Sequence, residues 1–318
     1  MNDQSWLACT SSFDSIPPGQ SIYWCSSPFL RNAEIRRFSS PQGNIALQGA
    51  FKKNALLTRF VVEDGPLIKD QCEKSEFVEF FLNLATSLGK SALIELSSVS
   101  TYQPELELWL REAGFKRAIL PVKCPLTYTV NCEAKLEQSL SSNWRHNYSR
   151  SLKHGLTFEA ITEPNDKALS DFFNIYKETV ELKQMSGSID LDAVMAVRKE
   201  PGARLFFASQ NNQRFSGRIL IFGRKTAFDT LAATSAEGRK NYSSYFLMFN
   251  ILQYCKENGI RSVDLGRIGP GKFDTVLNFK KGMGGELTSY LGDWVCSNQP
   301  VRELIFSAAR SIKWRERW

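Results

Sequence analysis

Tyr242-Ser-Ser-Tyr-Phe-Leu-Met-Phe-Asn-Ile-Leu-Gln-Tyr-Cys-Lys-Glu-Asn-Gly-Ile-Arg-Ser-Val-Asp-Leu265 decides the fold. Residues 242–258 read as an apolar helix, Gly259 closes it, and Ser262-Val-Asp-Leu265 is a run of strand length. The same grammar stands about 170 residues earlier, where 80–96 gives a helix, Gly89 and a strand. Each unit is followed by a loop, a second helix, a glycine (Gly114 or Gly282) and another strand. Helices that alternate with strands bury their apolar stripe on a sheet, so the expectation is a duplicated α/β domain.

Outward from these units, 44–51 and 55–62 read as strands, the second ending in the turn Glu63-Asp-Gly-Pro66. Residues 75–88 place Phe77, Phe80, Phe81, Leu84 and Leu88 on one helical face. A strand at 92–96, a helix at 104–113 and a strand at 115–122 complete the first half. In the second half, 133–154 reads as one long helix ending at Gly155, followed by a strand at 156–161 and helices at 166–184 and 190–200. Strands at 204–209, 215–222 and 227–233 come next, and after Leu265 a short helix at 275–281 and a strand at 286–296. The boundary between halves falls near residues 130 to 140.

The 318 residues exceed one ordinary hydrophobic core, and roughly 150 residues per domain gives two domains. With 42% hydrophobic and 23% charged residues, wholesale disorder and fibrous classes are excluded. No stretch approaches the roughly 18 uninterrupted apolar residues of a membrane-spanning helix. Met1-Asn-Asp-Gln-Ser-Trp6 has neither a basic nor an apolar leader region, so a soluble cytoplasmic protein is expected. Forty Lys and Arg against 33 Asp and Glu give +7, a modest excess that favours anionic partners such as phosphates, nucleic acid or an acidic membrane leaflet. Seven scattered cysteines without a C-x-x-C read as reduced thiols rather than a disulfide frame or zinc site. The two histidines, His146 and His154, argue against a His-rich metal site and read as surface residues.

Two segments carry candidate chemistry. Gly266-Arg-Ile-Gly-Pro-Gly-Lys272 satisfies G-x-x-x-x-G-K after a strand, but Phe273 stands where Mg²⁺ ligation needs Ser or Thr, and Pro270 removes an amide donor. A sharp Gly/Pro connection is the simpler reading. Asn278-Phe-Lys-Lys-Gly-Met-Gly-Gly-Glu286 crowds two lysines against three glycines. Such glycines permit close approach of a ligand to the backbone, and a lysine there stabilises an oxyanion or binds phosphate. A helix end with dipole-complementing lysines and a glycine cap gives the same string.

Phe279-Lys280 with Gly282-Met-Gly-Gly285, following Val263-Asp-Leu-Gly266, resembles the carboxy-terminal signature of the FemAB-like transferases, strand-DFG then FKxGFGG. Trp144 to Leu156 is similar to that family's basic helix, and Phe60 to Pro66 to its strand-then-GP feature. The ordered set covers residues 20 to 297 approximately and matches the two-unit repeat. The resemblance implies two tandem GNAT-like domains, each a mixed twisted sheet flanked by helices, at 1–135 and 136–299, with 300–318 a basic helix packing back on the first. It implies transfer of an aminoacyl group from aminoacyl-tRNA to an amine of a peptide or cell-wall precursor, without a further cofactor. Lys280 then stabilises the oxyanion, Asp264 is the strand-end acid or base, and Gly266, Arg267 and Phe279 line the channel. Leu265 and Met283 depart from the family's Phe, and Arg267 stands where many members have Gly, which leaves the acceptor open.

Acyl-CoA users of the GNAT fold cradle pyrophosphate with an R-x-x-G-x-G turn. The corresponding Ala236-Glu-Gly-Arg-Lys-Asn-Tyr-Ser-Ser244 has one glycine, which favours aminoacyl-tRNA, with Arg239 and Lys240 as donor phosphate contacts. Arg145, Tyr148 and Arg150 on the basic helix are positioned for an anionic acceptor or tRNA backbone. An acyl-CoA N-acyltransferase of polysaccharide or small-molecule biosynthesis and a non-catalytic RNA-binding protein remain the alternatives. Residues 301–318 place five cationic residues around an apolar set. This helix either packs on the first domain or touches an anionic membrane at its inner face. Oligomeric state is not legible.

Overall fold

The computed structural model describes residues 1–26, 30, 33–53, 58–89, 92–118, 123–184, 189–268 and 274–297. The first elements are α1 (Asp3–Thr10), β1 (Glu34–Ser39), β2 (Ile45–Lys53), β3 (Thr58–Glu63), β4 (Leu67–Ile68), α2 (Lys74–Leu88), β5 (Ala92–Thr101), α3 (Pro104–Glu112) and β6 (Lys116–Arg117). Then follow β7 (Leu126–Asn131), α4 (Leu136–Ser139), α5 (Ser142–Ser151), β8 (Thr157–Ile161), α6 (Asp166–Lys183), α7 (Leu191–Met195), β9 (Ala203–Gln210) and β10 (Gln213–Phe222). The last are β11 (Thr226–Thr234), α8 (Ala236–Lys240), α9 (Ser243–Glu257), β12 (Ser262–Arg267), α10 (Asp274–Gly282) and β13 (Glu286–Ser297).

The fold class is the expected one: two α/β units, each a mixed sheet flanked by helices. The units are interleaved along the chain, however, rather than consecutive at 1–135 and 136–299. Among the described residues, one comprises 1–13, 30–126 and 288–297; the other comprises 14–29 and 127–287. The tail helix proposed for 300–318, the last four residues of the G-x-x-x-x-G-K loop with Phe273 (269–273) and the end of the strand read at 115–122 lie outside the described residues.

In the first unit the strand order is β1-β2-β3-β5-β13, with β4 beside β2 and β6 beside β13. Its parallel pair, β3 and β5, is in register over six residues, Thr58–Glu63 against Ala92–Ser97. The face of α2 read from the sequence is the buried one, and Phe77, Phe81, Leu84 and Leu88 pack there with Phe60, Ile94, Leu96 and Trp294.

In the second unit the order is β7-β12-β11-β10-β9-β8, with β11 and β12 parallel. Alternate residues of β9 enter opposite cores. Phe206 and Ala208 pack with Leu247, Ile251 and Leu252 of α9, while Leu205 and Phe207 pack with Leu169 and Phe172 of α6. Two-sided burial explains why β9 and β10 read as near-continuous apolar runs. Each fully buried Phe or Leu contributes about 1.5–3 kcal/mol relative to exposure.

The helix expected over 133–154 is broken. Ser141 leaves helical geometry (φ −63°, ψ 157°), its hydroxyl accepts from Trp144 N, and its own amide donates to Gly282 O at 2.9 Å. A side-chain cap competes with helix continuation, so α4 and α5 are separate. Residues 190–200 likewise form α7 followed by a 3-10 turn, Ala196–Lys199.

The same Ser141 contact fixes α10. A Cβ on Gly282 would lie 3.0 Å from both Ser141 Oγ and Trp144 Cδ1, and one on Gly284 (φ +77°) only 2.4 Å from Ser139 O. The close approach that these glycines permit is therefore of the chain's own α4 and α5. Gly284→Ala is expected to cost about 3 kcal/mol or more, combining left-handed strain with a backbone clash. Gly155→Ala, at φ +60° with nothing within 4 Å, is expected to cost about 1–2 kcal/mol. Urea midpoints at unchanged m-value measure the difference, and equal losses would contradict this packing role.

Candidate active site

The site begins where two parallel strands part. β11 and β12 are paired only at Thr226–Phe228 against Ser262–Asp264, half the length of the β3/β5 register. On the other side of β12, the register with β7 shifts between Asp264 and Arg267. Asp264, 3% exposed, organises this irregularity: its Oδ1 accepts from Thr127 Oγ1 and from Gly266 N, both at 2.8 Å. Gly266 takes φ +75°, a conformation glycine adopts without steric cost.

Lys280 reaches this point from the last turn of α10. Its Nζ donates to Gly266 O at 2.9 Å and Arg267 O at 3.2 Å. An ammonium has three N–H donors, so among the described residues one remains without a partner. A Cβ on Gly266 would sit 3.4 Å from Asp229 O and 3.8 Å from Lys280 Nζ, so a side chain there would fill the gap at the strand ends. Burial lowers the Lys280 pKa; Asp229 raises it, Arg218 lowers it and Asp264 raises it, in decreasing order.

Two charged residues that the sequence reading did not single out join this group. Arg218 on β10 and Asp229 on β11 form an ion pair with 12% and 7% side-chain exposure. Asp229 is the first residue of β11 past the paired stretch, and its Oδ1 is buried without a hydrogen-bond partner among the described residues. The Arg218 guanidinium also lies 5.4 Å from the Phe279 ring centroid. The signal that could have found them is a pair of opposite charges within adjacent apolar strands, Gly217-Arg-Ile-Leu-Ile-Phe222 and Thr226-Ala-Phe-Asp-Thr-Leu231.

Of the residues expected at the site, Lys280, Asp264, Gly266, Arg267 and Phe279 come together. Arg267 contributes its carbonyl. Phe279 packs edge-on to Tyr245 at 5.1 Å and near Trp144 at 5.8 Å. Tyr148 stacks on Phe249 at 4.2 Å, and burial raises its pKa, which marks it as packing between α5 and α9. Arg150 donates to Tyr242 Oη at 2.8 Å on the surface. Arg145 is exposed on α5, and Lys240 is exposed and paired with Glu237. Arg239 is exposed; desolvation, then Arg239 and Arg218, lower the Lys183 pKa.

The segment before α9 forms a helical turn, α8, rather than an open cradle. Ala236 N donates to Glu178 Oε1, Gly238 N to Ser235 Oγ, Arg239 N to Ser235 O and Asn241 N to Glu237 O. Tyr242 N donates to Arg239 O, and Ser243 N to Asn241 Oδ1. These six amides are occupied within the chain.

The FemAB family's sequence profile matches residues 193–313, the stretch that carries this strand end, lysine and glycines. Similar solved structures extend over the whole chain. FemX is 17% identical with TM-score 0.79, covering 96% of this chain and 98% of its own. The C-terminal domain of a putative lysylphosphatidylglycerol synthetase from Agrobacterium fabrum is 14% identical with TM-score 0.66, covering 97% and 96%. L-PGS from Bacillus licheniformis is 15% identical with TM-score 0.61, also covering 97% and 96%. At these identities the structures establish the fold alone. No curated protein is significantly similar in sequence. Among the described residues, no helix is long and apolar enough to cross a membrane.

Because its folded-state pKa lies below the ordinary 10.5, Lys280 binds fewer protons in the folded than in the unfolded chain between those two values. Stability therefore rises with pH across that window. Relative to Lys280→Met, the wild type is expected to be flat at lower pH and to gain stability as pH climbs through the lowered value towards 10.5. Urea denaturation across this range measures it; parallel curves would contradict the buried ammonium.

Proposed function

We propose that this FemAB-like protein is an acyltransferase that moves an aminoacyl group from aminoacyl-tRNA to an amine of a peptide or cell-wall precursor. The observation that carries the reading is Lys280: a half-buried ammonium anchored by two carbonyls at the parting of β11 and β12, with its third donor unpartnered among the described residues. The FemAB match over residues 193–313 supports the transferase class.

Aminolysis of an ester needs little covalent help from the protein. The amine nitrogen attacks the ester carbonyl carbon, a C–N bond forms, and negative charge gathers on the carbonyl oxygen. Collapse breaks the C–O bond, and the ribose hydroxyl leaves with the proton that the amine releases. The products are an amide and an alcohol, with no redox change. Lys280 meets the oxyanion, and a positioned donor in a water-poor site contributes far more there than in bulk water. In this reading Asp264 holds Thr127 and the Gly266 amide, which positions the strand end whose carbonyls face Lys280.

The α8 turn favours aminoacyl-tRNA over acyl-CoA. A pyrophosphate needs uncommitted backbone amides, and the six amides named above already have acceptors, one of them the Glu178 carboxylate. A polynucleotide instead takes its phosphate contacts from side chains. Arg239, Lys183 and Arg218 supply positive charge in this unit.

Lys280→Met is expected to fold and to lose transfer from charged tRNA to amine acceptors by about 100-fold or more. Transfer of a labelled amino acid, read against far-UV circular dichroism of the same preparation, measures this. Wild-type rates in a folded variant would refute the role of Lys280, and efficient transfer from acyl-CoA with none from charged tRNA would refute the donor.

A further inference from the structure

The Arg218–Asp229 pair is more than a structural ion pair. Arg218 engages one oxygen of the Asp229 carboxylate, while Oδ1 is enclosed and has no partner among the described residues. Leaving a buried carboxylate oxygen empty costs free energy, because its hydration is lost with nothing in return. Natural chains retain such groups where something else completes them.

The backbone is arranged to put Asp229 there. On β10, Ile219 opposes Leu231 and Leu220 opposes Asp229, so Thr230 is an extra residue without a partner. This bulge changes which face β11 presents. Ala227 packs in the core beneath α9, whereas Leu231 and Ala233 pack on the α6 side. A bulge at a site re-aims a side chain. Here it holds Asp229 at the first position beyond the β11/β12 pairing, beside Gly266, whose missing side chain leaves a gap between Asp229 O and Lys280 Nζ. Asp229 is also the foremost charge acting on Lys280 after burial itself. Among the described residues the strand ends thus offer one unpartnered donor, on Lys280, and one unpartnered acceptor, Asp229 Oδ1. A carbonyl oxygen fits the first, and an N–H fits the second.

We propose that Asp229 Oδ1 is a subsite for a primary amine of the substrate, held while Lys280 faces the carbonyl that is attacked. The proposal rests on the transferase reading and deepens it, since both substrates of such a reaction carry an amine: the α-amine of the donor amino acid and the attacking amine of the acceptor. In either case the subsite selects amine-bearing substrates over acylated ones.

The test is equilibrium binding to the full chain, so it does not depend on turnover. Two probe pairs are titrated calorimetrically. The donor pair is 3′-alanylamino-3′-deoxyadenosine with its α-amine free or acetylated, and the acceptor pair is Nα-acetyl-lysinamide with its ε-amine free or acetylated. Wild type is expected to prefer the free amine at least tenfold in one pair, and that pair identifies which amine sits on Asp229. Asp229→Asn keeps an oxygen for Arg218 but turns an NH₂ towards the subsite, and is expected to erase that preference. A folded Asp229→Asn with the wild-type preference, or a wild type with no preference in either pair, overturns the proposal. Should Asp229→Asn fail to fold, Asp229→Glu is expected to weaken the preference at least threefold, and an unchanged preference overturns it equally. A wild type that shows the preference but transfers nothing from charged tRNA would defeat the transferase reading and leave the subsite standing.

Discussion

The two hydrogen bonds from Lys280 Nζ to the carbonyls of Gly266 and Arg267 hold the site together. They tie the end of α10 to the end of β12 at the point where β12 has left β11. An ammonium in this setting is costly to bury, and burial does lower its pKa. Two carbonyls, Asp229 and Asp264 offset that cost, which is why the lysine stays in place. The arrangement is asymmetric within a duplicated fold: the first unit keeps its parallel strands in register over six residues, and the second unit does so over three.

The glycine-rich string after Lys280 is an example of one sequence feature serving a different purpose from the one it suggests. Gly282 and Gly284 lie against Trp144, Ser141 and Ser139, so their lack of side chains brings α10 onto α4 and α5. Trp144 in turn contacts Tyr245 and Phe279, and Phe279 sits beneath Arg218. The aromatic cluster and the glycines together set the height and rotation of α10, and with them the position of the lysine. This is packing in the service of chemistry.

Much of this was legible in the chain. Helix-glycine-strand units gave the duplication, periodicity gave the buried face of α2, and the FK-GxGG string gave Lys280, Phe279 and the strand end at Asp264 and Gly266. What stayed hidden depends on partners distant in sequence. The break at Ser141 needs Gly282 O, 141 residues away, as an acceptor. Nothing local reveals that Thr127 and the Gly266 amide both donate to one oxygen of Asp264. Arg218 and Asp229 meet only once the β10/β11 bulge has formed. The basic helix read as a binding surface, yet it mixes roles: Trp144 and Tyr148 are packing residues, and Arg145 and Arg150 face outward.

The most direct measurement is a crystal structure of the full chain with 3′-alanylamino-3′-deoxyadenosine, whose amide carbonyl stands in for the ester carbonyl of charged tRNA. The expected result places that oxygen at about 3 Å from Lys280 Nζ, within hydrogen-bond reach at the parting of β11 and β12. An analogue seated elsewhere, with Lys280 still facing only its two backbone carbonyls, would contradict the account.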